Sequence, residues 1–135
     1  MVRMEVKAMK ATDNGETIRV FTDGSGQAPN GKSSAMAWYR IDTGERHVER
    51  VPGLTNNQAE YGAVISALKA FGSDLSIGVL TDSLLMVSRL RGEFRILDPK
   101  LATLAAEVKT ITEQKRLSLK LTWVPRSKNL AGMLL

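Results

Sequence analysis

Between residues 17 and 51 the chain reads as three short strands in succession, and from residue 56 onward helical segments separate every further strand. "TIRVFTD" (17–23), "SSAMAWYRI" (33–41) and "RHVERV" (46–51) form an antiparallel meander, with "DTGE" (42–45) as the turn before the third strand. "TNNQAEYGAVISALKAFG" then predicts a helix over 56–71, started by a capping box between Thr55 and Gln58 and stopped at Gly72. "LSIGVLTD" (75–82) is the next strand, short helices fill 83–91 and 98–114, "RLSLKLTWV" (116–124) alternates as the last strand, and a helical stub follows Pro125. A meander followed by strands that only helices connect implies an α/β protein with a mixed sheet, antiparallel in its first part and built by helical crossovers in its second.

A chain of 135 residues suits one domain. It contains no cysteine, which excludes disulfides and thiolate metal sites. The first ten residues are too charged for a signal peptide, and no run of 18 apolar residues occurs, so a soluble, cytoplasmic protein with no membrane partner is expected. The net charge of +5 lies wholly in the second part of the chain: residues 1–60 carry eight basic and eight acidic side chains, residues 61–135 eleven and six. Lys115, Arg116, Lys120, Arg126 and Lys128 follow one another with no acid between them, a pattern that fits either a polyanion partner or a solvated basic face.

Two of the apolar strands end in the same pair, "VFTDGSG" (20–26) and "VLTDSLL" (79–85). Each aspartate has a local explanation, Asp23 as a turn residue before Gly24 and Asp82 as a cap for the next helix. Both also stand at the strand edge where open α/β sheets bind ligands. Glu60 adds a third carboxylate. On the predicted helix it is in line with Ala63, Val64, Ala67, Leu68 and Phe71, the stripe that faces the sheet. Carboxylates gathered there repel unless a cation holds them, and a set of hard oxygens without cysteine or a nearby histidine suits Mg²⁺ or Mn²⁺.

"FTDGSG", "TNNQAEY" and "LTDS", in this order and spacing, resemble type I ribonuclease H over about residues 17–131. The resemblance implies a ribonuclease H-like fold, a five-stranded mixed sheet flanked by helices, and hydrolysis of the RNA strand of RNA/DNA hybrids with two divalent ions, Mg²⁺ or Mn²⁺. It implies Asp23 as the bridge between the metals, Glu60 as ligand to one of them near the ribose 2′-hydroxyl, and Asp82 as completing the set. Gly24, Ser25, Asn56 and Asn57 match the family's substrate contacts, and either asparagine can cap the helix as well. "WVPR" resembles the branch that lacks a catalytic histidine. Arg126 would there assist the leaving group or product release, or simply contact phosphate. His47, the single histidine, falls in the meander as a surface strand residue.

One departure bears on activity. The family places a fourth carboxylate in an "N-x-x-A-D" stretch, whereas this chain reads "NLAG" and has no acid after Glu113. Asn129 could supply a neutral amide oxygen to the second metal, an acid could lie beyond Leu135, or the domain could bind hybrid without cutting it. The first is the expectation, which makes Asp23, Glu60, Asp82 and Asn129 the metal ligands and adds Arg126 to the catalytic set. A monomer is expected. Residues 1–16 form an extension in which Val2, Met4, Val6 and Ala8 alternate with Arg3, Glu5 and Lys7 as a possible extra strand, ahead of a domain over 17–135.

Overall fold

The structure is a computed structural model and describes residues 17–135; the expected extra strand lies outside the described residues. Five strands, β1 (Ile18–Ser25), β2 (Ser34–Arg40), β3 (Arg46–Val51), β4 (Ser76–Thr81) and β5 (Ser118–Trp123), form one sheet in the order β3-β2-β1-β4-β5. The β1–β2 and β2–β3 pairs are antiparallel, β1–β4 and β4–β5 parallel. This is the mixed sheet that the meander and the later helices require.

Helix α1 (Asn56–Ala70) connects β3 to β4, and α2 (Leu84–Leu90) with α3 (Pro99–Gln114) connects β4 to β5. The capping box forms as expected. Thr55 Oγ1 accepts from Gln58 N–H at 3.1 Å, and Gln58 Oε1 accepts from Thr55 N–H at 3.0 Å. Asp98 caps α3, whose first residue is Pro99. The stripe Ala63, Val64, Ala67, Leu68 and Phe71 is buried, packed on a sheet whose central positions Val20, Ile77, Val79 and Leu119 have no exposed surface. No helix among the described residues is long and apolar enough to cross a membrane.

Three elements depart from the sequence expectation by more than one residue at a boundary or in kind. β1 continues two residues past Asp23, because Gly24 and Ser25 still pair with Met36 and Ala35 of β2 after β4 has ended. β5 starts at Ser118 instead of residue 116, since Arg116 takes a left-handed φ of 55° and pairs through its guanidinium with Asp74 at 2.6 and 2.8 Å. The stub after Pro125 is two 3-10 turns, Arg126–Lys128 and Leu130–Leu134, the second lying against β1 and β2.

Candidate active site

Asp23 and Asp82 are level with each other on neighbouring parallel strands. The register pairs Phe21 with Leu80, and each aspartate follows two residues later. Asp23 is thus a strand residue and Asp82 the first residue after its strand. Glu60 arrives from the first turns of α1, and the three side chains place ligand oxygens within 4.8 Å of one another.

Gly24 makes that convergence possible. A Cβ on it would lie 2.3 Å from the Ala59 carbonyl carbon and 2.5 Å from the Glu60 nitrogen, so only a residue without a side chain lets β1 run against the α1 backbone. The resemblance implies Gly24 as a substrate contact. Its visible task is to seat the helix that carries Glu60. Because side chains alternate along a strand, Asp23 points to the other face, where the last turn of the chain lies beneath it.

Burial and mutual repulsion leave their mark on the acids. Asp23 is pushed up to about 6, first by burial and then by Asp82, against the opposing pull of the Gly24 N–H and Arg126. Glu60 is also pushed up to about 6 by burial, with Asp23 and Asp82 adding to the rise and a hydrogen bond from Ser83 and the charge of Arg126 opposing it. Two full negative charges at this spacing repel by about 3 kcal/mol at an effective dielectric of 20. Convergent, partly buried carboxylates with raised pKa values fit a hard divalent cation better than they fit one another. Ser83 was not singled out for this role by its sequence position. It caps α2 through its hydroxyl and also holds Glu60, and the "TDS" triplet was the signal for it.

A cleft of about 440 Å³ opens over Asp23 and Glu60, lined by these two with Gly24, Ser25, Asn56 and Arg126 together with Asn129, Gly132 and the apolar Leu130, Met133 and Leu135. Of the expected substrate contacts, Gly24, Ser25 and Asn56 therefore line the cleft, and Asn57 is exposed on the same turn of α1. Asn56 Oδ1 accepts from the Gly26 N–H at 2.5 Å, tying the end of β1 to the start of α1. Arg126 is exposed at the rim with its charge felt by both Asp23 and Glu60. The apolar part of the lining gave no signal in the sequence.

The expectation for Asn129 needs correction. Its Oδ1 accepts from the Ala131 N–H at 3.1 Å, and its Nδ2 donates to the Thr22 carbonyl at 2.9 Å and to Asp82 Oδ2 at 3.4 Å. The oxygen that was to meet a metal caps the last turn, and the face turned to the acids is the NH₂ group. A flipped amide would set NH₂ against N–H and oxygen against two acceptors, so these partners fix the orientation. Gly132 is the residue beside the cluster: a Cβ on it would lie 2.9 Å from Asp23 Oδ2.

The basic run is partly committed to structure. Lys115 donates to the carbonyls of Leu68, Lys69 and Phe71 and so closes the C-terminal end of α1, while Arg116 is paired with Asp74. Similarly, Arg91 donates to the Leu121 carbonyl, and Arg89 lies beside the buried Tyr61 hydroxyl.

The RNase H family model matches residues 15–126. Ribonuclease HI of Halobacterium salinarum is 31% identical over 105 residues, covering 72% of this chain and 51% of that protein, so the chain spans about half the length of the curated relative it matches. Among solved structures, RNase H1 from the halophilic archaeon Halobacterium salinarum NRC-1 superposes with a TM-score of 0.76 at 28% identity, covering 88% of this chain and 93% of that one. LC11-RNase H1 in complex with an RNA/DNA hybrid gives a TM-score of 0.72 at 26% identity, with 84% and 89% covered. With the motif order, the sheet topology and the acid cluster in agreement with these matches, the chain belongs to the RNase H family.

Proposed function

We propose that the chain is a ribonuclease H that hydrolyses the RNA strand of RNA/DNA hybrids with Mg²⁺ or Mn²⁺, by a two-metal mechanism. The observation that carries this is the meeting of Asp23, Glu60 and Asp82 within 4.8 Å in a chain of this family. A relative solved with an RNA/DNA hybrid supports the substrate class.

In this reading Asp23, Glu60 and Asp82 would hold the cations. Two divalent ions bound by these carboxylates would supply an activated water and charge neutralisation at the attacking and leaving oxygens of an in-line displacement. Ser83 fixes the Glu60 carboxylate through its hydroxyl. Arg126 brings a positive charge to the rim of the acid cluster, where it favours a phosphodiester over solvent. Ser25, the Gly26–Asn56 link and the first turn of α1 form the cleft wall beside Asp23, with polar groups suited to sugar and phosphate contacts. Lys120, Arg126 and Lys128 are the members of the basic run left for a polyanion.

Hybrid cleavage that stops in chelator and returns with Mg²⁺ or Mn²⁺, giving 5′-phosphate and 3′-hydroxyl ends, is the expected result. Products with 2′,3′-cyclic phosphate would contradict the mechanism. One observation favours a second reading, a domain that binds hybrid without cutting it: Gly132 offers no carboxylate beside Asp23. That domain would retain hybrid affinity and show no cleavage at any Mn²⁺ concentration.

A further inference from the structure

We infer that Asn129 is a positioning residue, which sets the separation of Asp23 and Asp82 through its amide N–H donors. The inference rests on the nuclease reading of the acid cluster and concerns how this chain builds it.

Asn129 is 4% exposed, so its amide must find all its partners within the protein. Those partners belong to three separate elements. Nδ2 holds the carbonyl of Thr22, the residue before Asp23 in β1, at 2.9 Å, and Asp82 Oδ2, just past β4, at 3.4 Å. Oδ1 holds the Ala131 N–H at the start of the last turn. One planar group therefore spans the backbone of one acid, the side chain of another and the segment that carries Gly132.

The chemistry of the contact matters as much as its geometry. Asp82 has two close acid neighbours, and among the described residues no fourth acid joins them. An N–H donor beside Asp82 Oδ2 offsets negative charge and restricts the carboxylate to one orientation, leaving its remaining lone pairs toward the cluster. Groups that hold a ligating carboxylate from behind in this way commonly contribute about 10- to 100-fold to metal affinity or activity.

Capping and donation can be separated by substitution. Serine caps as well as asparagine but has no NH₂, so Asn129→Ser keeps an acceptor for the Ala131 N–H and loses the donors to Thr22 and Asp82. Asn129→Ala loses both. Titration of the full chain with Mn²⁺ alone, followed by calorimetry, is expected to show affinity falling about tenfold in the serine and alanine variants alike. Only alanine should lower the melting temperature through the lost cap. In hybrid cleavage the serine variant should lose kcat with KM unchanged. Asn129→Thr makes the same separation if serine fails to fold.

A serine or threonine variant with wild-type Mn²⁺ affinity overturns the inference and leaves the nuclease reading standing. A wild-type chain that binds Mn²⁺ but cuts no hybrid, together with a tenfold weaker serine variant, overturns the nuclease reading and supports the positioning role. A wild-type chain that binds no Mn²⁺ overturns both.

Discussion

Gly132 lies directly beneath Asp23: a side chain begun at Gly132 would reach Asp23 Oδ2 at 2.9 Å, closer than the two atoms can rest. The obstacle is the free end of a carboxylate, which can swing, so the position tolerates substitution. It is also the place from which a fourth carboxylate would enter the cluster.

Gly132→Asp is accordingly expected to raise the charge of the metal site. The Mg²⁺ concentration for half-maximal activity should fall by about tenfold, since affinity for hard cations follows ligand charge. The metal-free melting temperature should fall, because a fourth acid adds repulsion. Asn129→Asp should not lower the Mg²⁺ requirement, as its new oxygen would face the Thr22 carbonyl, 2.9 Å from the present amide nitrogen. Activity measured across a Mg²⁺ titration distinguishes the two variants.

Glycine at position 24 answers to a harder constraint. A methyl group there meets backbone atoms of Ala59 and Glu60 at 2.3–2.5 Å, and a helix cannot swing aside as a carboxylate can. Gly24→Ala should destabilise the fold by about 1–3 kcal/mol and weaken Mn²⁺ binding by displacing Glu60. Gly132→Ala, which touches only the end of Asp23, should leave stability nearly unchanged. Denaturant unfolding of both variants checks the contrast.

The raised acids make stability pH-dependent in the unusual direction. Asp23 and Glu60 both stand near 6 in the folded chain, above the ordinary range of an unfolded carboxyl. The folded state therefore binds more protons between about pH 4 and 6, and the stability these groups lend is present at low pH and lost as pH rises through 6. Metal-free Asp23→Asn should melt at a higher temperature than wild type at pH 7, with the gain shrinking toward pH 4.5, and should have no nuclease activity. Melting curves in chelator at the two pH values measure this.

Proton release gives an independent view of the same groups. With both acids about half protonated at pH 6, Mn²⁺ binding should expel about one proton there and almost none at pH 8. Calorimetry in buffers of different ionisation enthalpy counts the protons.

Much of this site is legible in the sequence. The Thr-Asp pairs mark neighbouring parallel strands on which the two aspartates come level, and the apolar stripe behind Glu60 aims it at the sheet, because periodicity reports which way a side chain faces. The hydrogen-bonding face of Asn129 is not legible. An asparagine offers a donor and an acceptor of the same size, and the sequence cannot say which one a partner will select; Ala131 and Thr22 decide it. Gly24 is legible only in part for a related reason: sequence shows that a side chain is missing, and only the fold shows that the Ala59 backbone fills the space. Likewise Lys115 and Arg116 read as free charge, while their partners at Phe71 and Asp74 are far away in sequence.

The most direct test of the central claim is cleavage of an end-labelled RNA/DNA hybrid across a Mn²⁺ titration, run side by side for the wild type and Asp82→Asn. The account predicts metal-dependent cutting of the RNA strand by the wild type, none in chelator, and loss of cutting in the variant with hybrid binding retained. A wild-type chain that binds the hybrid yet leaves it intact at every Mn²⁺ concentration, or an Asp82→Asn variant that cuts as fast as wild type, would contradict it.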